Sequence, residues 1–277
     1  MFTCSRDGQI HCLDANTGQV KWKASTHDFN SRKPDWGFSG SALLYNNLVI
    51  FDIGPTVAFD KATGRVVWKS EDYKAGYGSP YNFKLGTYEW IASFNRYGLV
   101  VMYPNNGKEI TRFKWNTSYG VNAATPVVLQ DKVFISSGYN TGAALVQLKQ
   151  GECQEIWKNR NMNNHMNSCV LYNGHLYGIN GNSGKGNLTC LEFATGNVKW
   201  SQDGLGTGAL MMANGKLIVQ GERGDVAIVE ASPNGYTEHG RVRGVLSGTC
   251  WVVPTLANGL LYCRSNQGDL VCLDVRK

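Results

Sequence analysis

The chain has 277 residues, 42% of them hydrophobic and 17% charged, with a formal net charge of +6. It is long enough to bury a large core, and no stretch approaches the roughly 20 consecutive apolar residues of a membrane-spanning helix. No run of basic residues exceeds two, so the positive balance reads as an ordinary solvated surface, and nucleic acid is not an expected partner.

The first segment, "MFTCSRDGQIHCLD", alternates like a strand. It has no basic region followed by an apolar run, so it does not read as a signal peptide. Met1 already falls inside a repeat, and the expectation is that an upstream piece precedes it. The next segment, "CLDANTGQVKW" (12–22), reads as strand, tight turn, strand. It returns as "AFDKATGRVVW" (58–68) and "CLEFATGNVKW" (190–200). Trp22, Trp68, Trp115, Trp157 and Trp200 are spaced by 46, 47, 42 and 43 residues, and Arg243 stands where a sixth would fall. Such a period belongs to a propeller blade or a two-helix repeat.

The segments between these copies decide which. "SALLYNNLVIFDIG", "TPVVLQDKVFISSG", "SCVLYNGHLYGING", "ALMMANGKLIVQGE" and "PTLANGLLYCRSN" each read as strand, two-residue polar turn, strand. Asn-Gly and its relatives supply the positive φ that such turns require. A third strand ends at the acid and a fourth at the Trp, with no helical periodicity. The prediction is an all-β chain: one β-propeller domain over 1–277, built of four-stranded antiparallel blades with about seven repeats visible. The first and last repeats each supply three strands, with five complete repeats between. Either a seven-bladed ring closes with two defective blades, or the chain is an open arc of an eight-bladed, N-terminally truncated parent; the strand count favours the second. Open blade edges would then be sites of self-association.

Each motif residue has a mechanical task. Asp14, Asp60 and Glu192 are placed to accept hydrogen bonds from the turn's backbone amides. Gly18, Gly64 and Gly196 supply the left-handed conformation and leave a bare peptide plane. The indoles of Trp22, Trp68, Trp115, Trp157 and Trp200 can lie flat on a neighbouring blade's glycine while their N–H groups find an acceptor. "MYPNNGKEITRFKW" puts Tyr103 in place of the acid, and "LKQGECQEIWK" loses acid and Thr; the middle blades are therefore expected to dock less securely. Of eight cysteines, Cys12, Cys190 and Cys272 occupy one equivalent position, expected to be a small, buried, apolar site for a free thiol.

"LDANTGQVKW" and its copies resemble the tryptophan-docking repeat of the pyrroloquinoline-quinone-like (PQQ-like) propeller family, including bacterial PQQ-binding-like repeat proteins. The family contains quinoprotein alcohol dehydrogenases and an outer-membrane-assembly scaffold. The resemblance implies export to the periplasm or cell exterior. It also implies one of two roles: a non-catalytic binding or assembly scaffold, or an oxidoreductase using the quinone with Ca2+.

The dehydrogenase branch needs a cation held by oxygen ligands, an aspartate base and an adjacent-cysteine ring over the cofactor. This sequence has no Cys-Cys pair and no C-x-x-C-H site, and its acids lie mostly at docking turns. The five histidines show neither H-x-H nor H-E-x-x-H spacing, so no metal site and no catalytic residue are expected. "DGLGTGAL" (203–210) has the glycines of a phosphate loop but neither its lysine nor its helix, and reads as a strand-entry loop.

One feature exceeds what packing needs. Residues just before each innermost strand of a propeller crowd one face, and here they are Trp36, Phe38, Tyr77, Tyr119, Asn122, Asn164, His165, Asn167 and Trp251. Aromatic and amide side chains around one axial mouth make a surface for a peptide or saccharide ligand. The expectation is a scaffold without cofactor that binds protein partners. A carbohydrate- or polymer-binding module is the third reading.

Overall fold

The protein was analysed as a computed structural model, which describes residues 1–149 and 151–276. Apart from two short 3-10 turns, Thr26–Phe29 and Ser118–Gly120, its regular elements are strands. The first sheet contains β1 (Phe2–Cys4), β2 (Gln9–Leu13) and β3 (Val20–Ser25). The second contains β4 (Leu43–Tyr45), β5 (Leu48–Asp52), β6 (Pro55–Asp60) and β7 (Val66–Asp72). β8 (Tyr81–Leu85), β9 (Tyr88–Phe94), β10 (Gly98–Met102) and β11 (Glu109–Lys114) form the third. β12 (Val127–Leu129), β13 (Lys132–Ser137), β14 (Gly142–Lys149) and β15 (Glu152–Asn159) form the fourth. The fifth has β16 (Val170–Tyr172), β17 (His175–Asn180), β18 (Asn187–Glu192) and β19 (Val198–Gln202). The sixth has β20 (Ala209–Ala213), β21 (Lys216–Gln220), β22 (Val226–Glu230) and β23 (Glu238–Val242). The seventh has β24 (Thr255–Ala257), β25 (Leu260–Arg264) and β26 (Leu270–Asp274). Each sheet is a run of consecutive strands, the blade construction of a β-propeller. The expected count holds: three strands in the first and last sheets, four in each of the five between.

Packing divides the chain into two compact units, Met1–Ile135 with Val146–Glu155 and Ser136–Leu145 with Ile156–Lys277. Many middle strands carry apolar runs buried on both faces, as in "LVIF" of β5 and "LVVM" of β10 in the first unit and "LIV" of β21 in the second. A strand that alternated would leave one face polar; a blade covered on both sides needs none. The outer strands behave differently. In β3 and β7 the tryptophan is the one buried residue.

Within the first unit, Trp22 and Trp68 dock as the motif requires. Trp22 Nε1 donates to the Lys61 carbonyl and Trp68 Nε1 to that of Pro104, both at 3.0 Å. Their rings lie against Gly64 (φ 72°) and Gly107 (φ 66°), where an added Cβ would fall 2.6 and 2.3 Å from the indole. In the second unit Trp157 does the same at Gly196, and its Nε1 meets the Phe193 carbonyl at 3.0 Å. Trp200 donates to the Ser232 carbonyl at 2.8 Å. The register repeats as well. Cys12 faces Trp22, Ala58 faces Trp68 and Cys190 faces Trp200, each with a bulge immediately after the small residue.

Three details differ from expectation. Asp14 and Asp60 accept from turn amides, at 3.0 and 3.1 Å and at 3.1 and 2.9 Å. The longer Glu192 instead takes the Thr195 hydroxyl at 2.6 Å. The third sheet docks without its acid: at Tyr103 the Gly107 amide still closes the turn on the Tyr103 carbonyl at 2.9 Å, as Gly64 does on Asp60. There the backbone turn, not the carboxylate, presents the glycine; at Gly151 and Gly235, in the divergent turns of the fourth and sixth sheets, no indole lies within 4 Å of an added Cβ, so Trp115 and Trp200 do not lie on those glycines as the motif predicts. Finally, Cys12 and Cys190 are buried free thiols, but Cys272 is exposed, because β26 is the outer strand of its sheet and no tryptophan strand faces it.

Asp52, at the end of β5, accepts a hydrogen bond from the Ser93 hydroxyl through Oδ2, while its Oδ1 is buried without a partner. Burial raises its pKa to about 6. The unfolded carboxyl titrates near ~3.9, so the native state holds the proton more tightly. Stability from this group is full below about pH 4 and is lost as pH rises through about 6. Denaturant titrations should show Asp52→Asn gaining about 1–3 kcal/mol over the native sequence between about pH 4 and pH 7. A constant difference across that range would rule the assignment out.

Candidate functional site

In the first unit, three loops lead into the first strands of successive sheets, and they are stitched together. The Ser41 amide donates to Ser79 Oγ at 2.8 Å, Ser39 Oγ donates to the Tyr77 carbonyl at 3.2 Å, and the Tyr77 amide donates to the Asn122 carbonyl at 2.9 Å. This stitching brings Trp36, Tyr77 and Tyr119 together. The Trp36 ring lies 6.0 Å from Tyr77 and 6.4 Å, edge on, from Tyr119. The Trp36 amide donates to the Tyr77 hydroxyl at 3.4 Å. Trp36 is 54% exposed and Tyr119 66% exposed. Tyr119 also has φ 61°, a left-handed conformation that costs a bulky residue of order 1–2 kcal/mol.

Tyr77 and Tyr119 line a pocket with Arg32, Asp35, Lys74 and Arg96. Lys74 pairs with Asp72 at 2.6 Å. Arg32 and Arg96 are exposed, and the Arg96 side chain lies against Gly120. The result is an aromatic surface edged by guanidinium groups. It offers stacking and cation–π contact together with charge-assisted hydrogen bonds. The two arginines were not among the residues expected at a site. Nothing in "NSRKPDW" or "FNRYG" distinguishes them from ordinary loop charges.

Two other expected residues of this unit serve packing. Phe38 is 7% exposed and belongs to the core with Ile10, Trp22, Val49 and Phe51. Asn122 is fully buried. Its Nδ2 donates to the Asn95 carbonyl at 2.8 Å and its Oδ1 accepts from Thr117 Oγ1 at 2.6 Å. It pins the loop that presents Tyr119, and its carbonyl holds the Tyr77 amide of the neighbouring loop.

In the second unit the asparagine-rich loop folds inward. Asn164 is fully buried; its Nδ2 donates to Asn167 Oδ1 at 3.0 Å and to the Ile179 carbonyl at 3.2 Å. Its backbone amide donates to Ser136 Oγ at 3.0 Å, and its Oδ1 accepts from Cys169 Sγ at 3.2 Å. Burial pushes the Cys169 thiol up to about 12. His165 is 5% exposed, stands edge on to Tyr139 at 4.8 Å, and has Nδ1 3.4 Å from Ser183 Oγ. Burial lowers its pKa, so the ring is neutral at neutral pH. The two amides are thus joined inside the unit, and the imidazole is buried beside Tyr139 and Ser183; Asn167 Nδ2 and His165 Nε2 are buried without a hydrogen-bond partner. Trp251 is half-buried, with Nε1 3.1 Å from Glu222 Oε1. Glu222, absent from the sequence expectations, also accepts from the Gly184 amide at 3.0 Å and from the Thr207 amide at 3.1 Å. Among the described residues no three His, Cys, Asp or Glu side chains converge as a metal ion would require. None of the helices is long and apolar enough to cross a membrane.

Comparison with known proteins places this architecture. Among proteins of curated function, none matches the sequence. BamB from Moraxella catarrhalis superposes with a TM-score of 0.72 at 16% identity, over 98% of this chain and 80% of that one. The computationally designed Ika8 protein gives 0.69 at 11%, over 99% and 80%. A europium-containing methanol dehydrogenase gives 0.68 at 12%, over 98% and 70%. At such identities these likenesses speak for the fold alone. The family profile described as outer membrane protein assembly factor BamB matches residues 1–202, and by that match the chain belongs to this family of PQQ-like repeat propellers.

Proposed function

We propose that the chain is a non-catalytic binding scaffold whose aromatic cluster of Trp36, Tyr77 and Tyr119, with the pocket that the two tyrosines line, docks a peptide segment of a protein partner. The observation that carries this reading is the exposure of Trp36 and Tyr119 on loops otherwise tied down by hydrogen bonds. Large aromatic groups held rigidly in water lose little entropy on binding, which is the profile of an interface anchor. Arg32 and Arg96 favour a segment that pairs an apolar or aromatic anchor with a carboxylate. The family supports a partner in the periplasm or at the outer membrane. The reading does not call on the quinone.

The test is selection of a displayed random-peptide library on the purified chain, counter-selected on Trp36→Ala/Tyr119→Ala. Selected peptides should bind the native sequence and lose at least about tenfold in affinity on the double variant. Its melting temperature should stay within about 2 °C, since exposed side chains contribute little to the fold. Hits confined to a glycan array would favour the saccharide-binding reading instead. Calcium-dependent alcohol oxidation after reconstitution with the quinone would restore the dehydrogenase one.

A further inference from the structure

A second surface, wholly within the second unit, has different chemistry. The "GNSGKGN" loop before β18, the "DGLGTG" loop before β20, the "GERGD" turn after β21 and the end of β23 enclose a cleft of about 560 Å³. Its lining includes Lys185, Arg223, Arg241 and Arg243 against Asp203, Glu222 and Asp225. The formal charges nearly balance, but they are not equally available.

Each acid is engaged from within the unit. Glu222 accepts from the Gly184 and Thr207 amides and from the Trp251 indole. Asp225 Oδ1 accepts from the Gly244 amide at 3.1 Å, and its Oδ2 lies 3.9 Å from Arg241. Asp203 Oδ1 accepts from Gln202 Nε2 at 3.2 Å. Arg241 is engaged too, by Glu238 at 2.7 Å and by the Gly204 carbonyl at 3.2 Å. Lys185, Arg223 and Arg243 are exposed; Arg243 stands near enough to Glu238 to help hold that carboxyl's pKa down, but among the described residues no side-chain hydrogen bond or ion pair to a carboxylate holds any of the three. Cationic heads are therefore what the cleft has left to offer, two of them guanidinium groups suited to planar oxyanions.

We propose that this cleft binds an acidic peptide, its carboxylates taken by Arg223, Arg243 and Lys185. The proposal does not depend on the aromatic pocket of the first unit. Two features select a peptide over other anions. Gly184 and Gly204 carry no side chain and open onto free space, so an extended main chain can lie directly on the backbone. The three carboxylates in the lining repel a continuous polyanion, but they tolerate a chain whose charges alternate with neutral residues. The lining is also free of aromatic rings, which leaves a nucleobase nothing to stack on.

The probe is a fluorescein-labelled, C-terminally amidated peptide of alternating glutamate and serine, followed by anisotropy. The matching glutamine–serine peptide and inorganic polyphosphate serve as comparators. The glutamate peptide should bind in a salt-sensitive manner, and the glutamine peptide should bind at least about tenfold more weakly. Arg223→Ala and Arg243→Ala should each weaken binding by about tenfold. Lys23→Ala/Lys69→Ala, which removes two exposed lysines of the other unit, should change nothing. Unchanged circular dichroism and melting of the arginine variants separate lost contact from lost fold. The proposal is overturned by absence of binding, by equal loss in the lysine control, or by polyphosphate binding more tightly than the peptide at the same arginines.

Discussion

Replacing Trp68 with alanine should cost about 3–5 kcal/mol of folding stability, among the largest effects of any single substitution in the chain. The indole is 8% exposed and packs in the core with Ile50, Ala58, Ile91 and Met102. Its removal opens a cavity and leaves the Pro104 carbonyl without its donor at 3.0 Å. Gly107→Ala attacks the same contact from the other side. A Cβ there would fall 2.3 Å from the indole, on a residue with φ 66°, and the left-handed backbone alone costs a non-glycine residue about 1–2 kcal/mol. Combining the two should cost clearly less than the sum, because once the ring is gone the added methyl has room. Urea denaturation of the two single variants and the double variant measures this directly. Additive losses would mean that ring and glycine stabilise the fold independently.

Asn164→Ala should cost about 2–4 kcal/mol in the same assay, although the asparagine-rich loop looks like a ligand-binding segment in the sequence. The fully buried amide serves three partners, Asn167, Ile179 and Cys169. Truncation strands polar groups where water cannot reach them. Asn164→Asp should be worse at neutral pH, because a carboxylate would face the Ile179 carbonyl and the Asn167 oxygen. Its deficit should shrink as the solution is acidified, since protonation restores a donor. A change within about 0.5 kcal/mol for Asn164→Ala would return the residue to the candidates for binding.

The docking tryptophans were legible because a repeated contact writes itself repeatedly: the same turn, glycine and indole had to recur at the same spacing. Asn-Gly turns were legible for a local reason. At Asn173-Gly174, Asn214-Gly215 and Asn258-Gly259 both residues have positive φ, as a two-residue hairpin demands. The site was only partly legible. Position before an innermost strand marked Trp36, Tyr77 and Tyr119, and the Trp36 ring does lie near the other two. The same positional rule also collected Phe38, Asn122 and Asn164, which face inward. Arg96, Glu222 and Arg243 lie in or beside ordinary turns, and their setting depends on residues far along the chain. Trp251 and Glu222 are 29 residues apart.

By itself the sequence determined the strand and turn order, the three-stranded first and last sheets, and the indole-on-glycine clasp of Trp22, Trp68 and Trp157. These follow from contacts whose geometry is fixed within one repeat or between adjacent ones. Only the tertiary structure decided which loop side chains face water and which carboxylates and guanidinium groups are already engaged. Burial and charge pairing are properties of what surrounds a side chain, and the neighbours that settle them come from distant loops that no local pattern brings together.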